Sequence, residues 1–223
     1  QLGGFMEIKT ACPYYDTLVK RWNGHHGAEE LERILNDLSR CHSFLTNELA
    51  MAGEEEAKQQ IDFHCQRQRD LFYYHLTRLS WSRDELQLMQ QALKRGRLPE
   101  EELCVALSGV TISLLMYDDA FKLEWLLSAY QYSESNRIKA RAMVGIIYVF
   151  SAFCYTIDHH PELVNHLLAL CDDPHFKEHL KQTILQMHCQ QVTKTTQKRL
   201  TDVIIPDLVK YSGTKLNEIE ENE

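Results

Sequence analysis

Apolar residues recur every three or four positions along most of this chain, which is the spacing that one face of an α-helix requires. The clearest stretch begins at Ala28 and is closed by Gly53, and a second apolar stripe follows the acidic run 54–56. Acidic side chains favour the positive N-terminal end of a helix, so this run predicts the start of the second helix. The two stretches together predict a long antiparallel helical hairpin.

Start signals divide the next part of the chain into further helices. Ser82 and Glu85 have the spacing of a capping box, in which each side chain bonds the backbone N–H of the other residue. Pro99 and the three glutamates after it predict a first helical turn. Asp118 and Asp119 predict the start of the helix that follows them.

The segment from Ser135 to Ile146 combines outward bases with small residues at Ala142 and Gly145. This pattern resembles the second helix of a HEAT repeat, in which small residues let neighbouring helices approach closely. Further helices are predicted to begin near Pro161 and Pro174, and a last helix is predicted over about 195–211. Hairpins therefore recur roughly every 35 to 45 residues, as in helical-repeat families.

These patterns predict an all-α protein. We expect an irregular α-solenoid of stacked antiparallel helical hairpins, and a compact multi-helix bundle is the alternative because it would contain the same helices. The predicted organisation is a loose lead with one short helix over 1–27, a helical-repeat domain over 28–211, and an acidic tail or linker to a further C-terminal portion over 212–223.

Composition narrows the classes of function. The 223 residues are 44% hydrophobic and 25% charged, which is typical of a globular protein, and the formal net charge is -8. An acidic chain is a poor general binder of phosphate backbones, so we expect no nucleic-acid partner. The most apolar run, 143–155, is shorter than the roughly 20 residues that span a bilayer, so we also expect no membrane partner.

Seven cysteines are spread along the chain, mostly within apolar helical patterns. An odd number of widely spaced cysteines is typical of free thiols in a reducing compartment rather than of a disulfide framework. We therefore expect a cytoplasmic protein. Because inert buried thiols are commoner than reactive ones on apolar faces, we predict no catalytic cysteine.

Eleven histidines raise the question of a metal site, above all His159 and His160 beside Asp158. Zinc requires about four converging ligands, usually in two closely spaced pairs. Adjacent helical residues point in different directions, so the His-Cys pairs of this chain are poor ligand pairs. We predict no metal ligand, no cofactor and no catalytic residue, and we interpret 159–160 as a loop that leads into Pro161.

From about residue 67 onward the order of features resembles the N-terminal helical region of large, uncharacterised bacterial tetratricopeptide-repeat proteins. The matching stretches are 69–73 with Trp81 shortly after, 106–115, 137–147 and 203–210. The resemblance implies a helical-repeat fold in a bacterial cytoplasmic protein. In that family the Ile-Pro stretch is followed by further repeats, and the family offers no catalytic residues to transfer.

We therefore expect a non-catalytic scaffold that binds a protein or peptide. The alternatives are a helical regulatory domain or a metal-dependent hydrolase-type enzyme that uses residues around 118–119 and 158–159, and a homo-oligomer. Aromatic residues near helix ends and outward bases are the candidates for the partner-binding surface. They are Tyr73, Tyr74, Trp81, Trp125, Tyr130, Tyr132, Arg137, Lys139 and Arg141.

Overall fold

The computed structural model describes residues 27–94, 98–153 and 160–199, together with Asp202. These described residues form eight α-helices and no strand, which confirms the prediction of an all-α protein. The helices are α1 (Ala28–Asn47), α2 (Glu54–Thr77), α3 (Arg83–Lys94), α4 (Glu100–Met116), α5 (Ala120–Tyr132), α6 (Asn136–Phe153), α7 (Pro161–Asp172) and α8 (Pro174–Arg199). The short helix predicted in the N-terminal lead, the predicted C-terminal tail and the stretch 203–210 lie outside the described residues.

The predicted start signals form the expected hydrogen bonds. The capping box is present, because the Glu85 amide donates to Ser82 Oγ at 3.3 Å and the Ser82 amide donates to Glu85 Oε2 at 2.6 Å. Asp119 caps α5 by accepting hydrogen bonds from the amides of Phe121 and Lys122. The boundaries of α3 and α5 are therefore encoded locally, by one or two side chains each.

The C-terminal helix differs from its prediction. The sequence pattern predicted a new helix from about Thr195, whereas α8 runs without a break from Pro174 to Arg199. The predicted start was wrong: the apolar pattern fades near residue 188, but the helix does not end there. The polar residues that follow include neither glycine nor proline, so nothing in that stretch stops the helix.

The helices pack in two rows. In one row, α1 contacts α3, α3 contacts α5 and α5 contacts α7, while in the other row α2 contacts α4 and α4 contacts α6. Contacts of α1 with α2, and of α5 with both α4 and α6, join the rows. Each of the helices α1 to α7 thus packs mainly against helices one or two positions away in the sequence.

The close approach of α2 to α4, and of α4 to α6, depends on two glycines. A methyl group on Gly109 of α4 would lie 2.9 Å from the backbone oxygen of Phe72 in α2. A methyl group on Gly145 of α6 would lie 2.5 Å from Thr111 Oγ1 in α4. A buried alanine precedes each glycine by three residues, at Ala106 and Ala142. An alanine and a glycine three residues apart therefore lie at both contacts, α2·α4 and α4·α6.

The chain divides into two compact units, Gln1–Lys177 and Glu178–Glu223, and the boundary falls inside α8. The sites described below all lie in the first unit. Its core contains fully buried aliphatic and aromatic side chains from α1 to α5 and from the start of α8. The largest of them include Leu31, Ile34, Leu35, Leu38, Leu71, Tyr74, Met89, Leu107, Trp125, Leu126 and Phe176.

Candidate functional site

Four aromatic residues of the predicted binding surface are core residues. The exposures of Tyr74, Trp81, Trp125 and Tyr130 are 6% or less, so these side chains cannot contact a partner. This corrects the prediction. Their rings pack between helices: the Trp125 indole N–H donates to the backbone oxygen of Met89 at 3.0 Å, which joins α5 to α3, and Tyr130 packs edge-on against Phe176 of α8.

Polar groups surround these rings where α2 ends and where α3 and α5 begin. We call this group, formed by Tyr74, Arg78, Glu85, Asp119 and Lys122, the α2–α3–α5 junction. Glu85 is fully buried and accepts hydrogen bonds from the Tyr74 hydroxyl and from Arg78 Nε, the latter at 3.0 Å. Asp119 accepts a further hydrogen bond, at 2.6 Å, from the backbone amide of Trp81, two residues before α3.

The protonation states in the junction follow from burial and from these bonds. Burial alone would raise the pKa of Glu85, but hydrogen bonds from Tyr74, Arg78 and Ser82 outweigh it and leave that pKa below its usual value. Burial, together with the neighbouring Glu85 carboxylate, raises the pKa of Tyr74. Glu85 is thus a carboxylate that accepts bonds from a neutral phenol and a guanidinium, as a stable buried ion requires.

Lys122 provides the positive charge on the other side of the junction. Its buried ammonium donates to the backbone oxygens of His75 and Arg78 and to Ser113 Oγ, the last at 2.7 Å. His75 lies in the last turn of α2 and Arg78 is its C-cap residue, so two of these acceptors are carbonyls at the C-terminal end of the helix. Burial lowers the pKa of Lys122 to about 8, although Asp119 and Glu85 oppose this shift. Lys122 therefore caps the C-terminus of α2 from α5.

The His75 ring packs against both the Trp81 and the Trp125 indoles, which also contact each other. Its centroid is 5.2 Å from that of Trp81 and 6.4 Å from that of Trp125. Neither ring nitrogen has a hydrogen-bond partner among the described residues. Burial, with a contribution from Lys122, lowers the pKa of His75 to about 3, so the imidazole is neutral at physiological pH. Its role is that of a flat packing group.

The α2–α3–α5 junction therefore stabilises the fold and offers no chemistry to a ligand. Its charged groups each bond a neighbour from another helix or from a helix end, and its carboxylate and ammonium are buried. A candidate site has to be sought on the surface.

The candidate site is a groove of 590 Å³ between α4 and α6. The two helices run in the same direction, since Glu100 contacts Arg137 and Ser108 contacts Arg141 in register along them. The groove is mostly apolar and is lined by Ser108, Thr111, Ile112, Leu115, Arg137, Ala140, Arg141, Val144, Gly145 and Tyr148. We call it the α4/α6 groove.

One end of the α4/α6 groove is basic. Arg137 is exposed and pairs with Glu100 and Glu101 at 3.3 and 3.1 Å. Arg141 is also exposed, but it donates only to uncharged acceptors: Ser108 Oγ at 2.6 Å and a backbone oxygen at 3.5 Å. Among the described residues, no carboxylate pairs with Arg141. Its positive charge is therefore available to a ligand, whereas that of Arg137 is largely neutralised.

The opposite end of the groove is apolar. Ile112, Leu115 and Val144 are only partly buried there, and Tyr148 is 47% exposed. Sequence reasoning missed this end, because each of these residues fits an ordinary core pattern. One signal was present: apolar residues surround α4 on all sides, which indicates that more than one of its faces needs to be covered.

The remaining predicted surface residues do not join this groove. Tyr73 is partly buried and packs against Leu76 and Met116, and Tyr132 is exposed at the end of α5. Lys139 lies on α6 but does not line the groove. Of the predicted set, Arg137 and Arg141 line the α4/α6 groove, whereas Trp81 and Trp125 meet in the core.

A second cavity, of 640 Å³, lies between the N-terminal ends of α5 and α7. Asp118, Asp119, Glu124, His160 and His166 are among its lining residues. Asp119 already caps α5, and His166 Nε2 bonds the Gln131 side chain at 2.8 Å. In the described part of the chain, no three histidine, cysteine or carboxylate side chains are grouped as metal ligands. Two residues of the predicted alternative, 158 and 159, lie outside the described residues.

Five of the cysteines lie in the described stretches, and all five are free thiols. Cys41 and Cys104 are buried, and burial raises the pKa of each. No described helix combines the length and apolar character that crossing a bilayer demands.

The fold and the groove define the class of protein: an all-α chain with paired rows of helices and an open, mostly apolar surface groove with one basic end. No protein-family model matches the chain, and no curated protein or solved structure matches it either. The resemblance to bacterial tetratricopeptide-repeat proteins therefore stays a prediction.

Proposed function

We propose that this protein is a non-catalytic scaffold that binds another protein in the α4/α6 groove. The observation that carries the proposal is the groove itself, which keeps apolar side chains and an unneutralised guanidinium at the surface. Aromatic residues and arginines are enriched in protein interfaces, and the groove contains both, Arg141 toward its basic end and Tyr148 at its apolar end.

The proposal includes the arrangement of the helices as a stack of antiparallel hairpins of the α-solenoid type. Two features support it over a compact bundle. Helices contact one another in two separate rows, and the alanine–glycine pair of α4 recurs in α6 at the corresponding contact. In such a stack each hairpin packs on the next, so that grooves form between neighbouring helices of a row.

The free thiols support a reducing compartment, because disulfides persist mainly where conditions are oxidising. We infer that the scaffold acts in the cytoplasm.

Site-specific photocrosslinking tests the proposed function. A photoreactive phenylalanine analogue is introduced at Tyr148, which lies in the groove, and in a second variant at Met51, which is 84% exposed between α1 and α2. Both variants are expressed in the native cell and irradiated. We expect one defined protein adduct from the position 148 variant and none from the position 51 variant.

The two positions are matched because both carry large apolar side chains that already face solvent. Equal labelling from both positions, or no adduct from position 148 under conditions that crosslink a known complex, would contradict a binding groove between α4 and α6.

A further inference from the structure

The α4/α6 groove is chemically polarised along its length, and this property restricts its partner. Arg141 and Ser108 stand toward one end, while Ile112, Leu115 and Tyr148 form the other. A ligand that matches the groove must therefore carry an acidic group and an apolar group at a fixed separation. The inference below rests on the proposed function and specifies the partner.

Arg141 is the residue to which an acidic group would bind. Glu100 and Glu101 already neutralise Arg137, and any incoming carboxylate would have to compete with them there. Within the described stretches Arg141 donates only to a hydroxyl and a carbonyl, so a carboxylate would add a charge-assisted hydrogen bond without displacing another anion.

The polar atoms of the groove favour a helical ligand over an extended one. An extended segment must find partners for its backbone N–H and C=O groups, and a helix satisfies most of these groups internally. The Ser108 hydroxyl already donates to the backbone oxygen of Cys104 at 2.9 Å and accepts from Arg141. The apolar walls of α4 and α6 offer little else to an extended backbone.

The separation of the two ends sets the spacing within the ligand. Arg141 and Tyr148 lie seven residues apart on α6, which corresponds to about 10 Å along the helix axis. A helix packed alongside α6 would span the same distance with residues two turns apart.

We propose that the α4/α6 groove takes one amphipathic helix of a partner protein, with an aspartate or glutamate at Arg141 and an apolar or aromatic side chain seven residues away beside Tyr148. The apolar stripe between these two residues covers Ile112, Leu115 and Val144.

A selection experiment tests this specificity. A phage-displayed library of helical peptides, with the residues of one face randomised, is panned against the immobilised full chain. We expect the selected sequences to share an acidic residue and a large apolar residue seven positions apart. Selected peptides are then synthesised, and their affinities for the wild-type chain and for variants are measured by fluorescence anisotropy.

Three variants test separately how the Arg141 charge and the open groove contribute to peptide binding. Arg141→Met is expected to weaken binding about tenfold, because it removes one hydrogen bond to a charged group. Ala140→Trp fills the groove from an exposed position and should abolish binding. Ala169→Trp places the same ring at an exposed position on α7 that does not line the groove, and it should leave affinity unchanged.

Several results would overturn the inference. Selected peptides without an acidic residue, affinity that is equal for wild type and Arg141→Met, or no enrichment at all would each reject the acidic amphipathic helix. Self-association of the wild-type chain that Ala140→Trp abolishes would identify a second copy as the occupant instead. The crosslink at position 148 would still report whether the groove binds a protein, so failure of the inference is distinguishable from failure of the proposed function.

Discussion

His75 shows how one buried side chain makes the stability of this protein depend on pH. The folded chain holds the imidazole neutral until about pH 3, whereas the unfolded chain protonates it near pH 6.5. Below pH 6.5 the unfolded state therefore binds more protons, and falling pH favours unfolding by about 1.4 kcal/mol per pH unit. This contribution to stability is complete above pH 6.5 and is lost as the pH falls toward 3.

His75→Phe is expected to remove this acid sensitivity. At pH 7 the variant should unfold with a free energy within about 1 kcal/mol of wild type, because the ring stays flat and the lost nitrogens have no described partners. At pH 4.5 it should be more stable than wild type by about 2–3 kcal/mol. Urea denaturation at the two pH values measures both differences.

An exposed histidine provides the control. His42→Gln on α1 should follow the wild-type profile. If His75→Phe lost stability between pH 6.5 and 4.5 as steeply as wild type does, the buried imidazole would not be the cause.

Lys122 gives a pH dependence of the same sign, at alkaline pH. Its pKa is about 8 in the folded chain and 10.5 in the unfolded chain, so between these values the unfolded state binds more protons and rising pH favours folding. The variant Lys122→Met lacks this group. We expect the difference in unfolding free energy to move in favour of wild type by about 1.4 kcal/mol per unit between pH 8 and 10.5.

The comparison with Lys122→Met cancels the titration of tyrosines and cysteines, since both proteins contain them. A difference between the two proteins that stays constant from pH 7 to pH 10 would show that the Lys122 ammonium is not held in a desolvated site.

At the scale of helices, the packing of α2, α4 and α6 depends on two positions where no side chain fits. Gly109 brings α4 against the backbone of α2, and Gly145 brings α6 against α4. The obstacles differ, because the nearest atom to Gly109 is a backbone oxygen and the nearest atom to Gly145 is a threonine hydroxyl. A hydroxyl can rotate away, and a helix backbone cannot.

Gly109→Ala is therefore expected to destabilise the protein by about 1–2 kcal/mol, as overpacking outweighs the better helix propensity of alanine. Gly145→Ala should cost less. Gly53→Ala serves as the control, because its methyl group would meet no atom within 4 Å. Thermal or urea unfolding ranks the three variants, and a larger loss in Gly53→Ala than in Gly109→Ala would contradict this account of the helix contact.

Sequence reasoning predicted helices well where a local signal encodes them. Ser82 with Glu85 and Asp119 act within one helical turn, so their roles follow from spacing alone. The predicted binding surface was wrong at Tyr74 and Trp125, which are buried. An aromatic residue near a helix end is equally compatible with a core position and with an interface position. Which rings are covered depends on helices distant in sequence, as the bond from Trp125 to Met89 shows.

The α4/α6 groove was beyond local reasoning for the same reason. The spacing predicts Arg137 and Arg141 as outward bases. Their partners lie on α4, more than 30 residues earlier in the chain: Glu100 and Glu101 neutralise Arg137, whereas no described carboxylate pairs with Arg141. Sequence spacing predicts which residues share a face of one helix. It does not predict which face of the neighbouring helix they meet.

For the first unit as a whole, the two rows imply graded rather than uniform stability. α5 contacts helices in both rows, whereas α1 and α7 stand at the ends of their row. In a stack held by neighbour contacts, the helices at the ends open first, and those with the most neighbours open last.

Hydrogen exchange measured by mass spectrometry should therefore show the slowest amides in α4 and α5 and earlier exchange in α1 and α7. This pattern favours the proposed stack, because in a stack the protection of each helix follows the number of its neighbours. Equal protection in α1 and α5 would favour the bundle.

The meeting of Trp81 and Trp125 beside His75 provides the protein with an optical signal of its own integrity. These are two of only three tryptophans in the chain, and their ring centroids lie 5.8 Å apart with both side chains buried. Any event that separates α3 from α5 admits water to both indoles and shifts their emission to longer wavelength. Intrinsic fluorescence would thus follow the separation of α3 from α5 in real time, without a label.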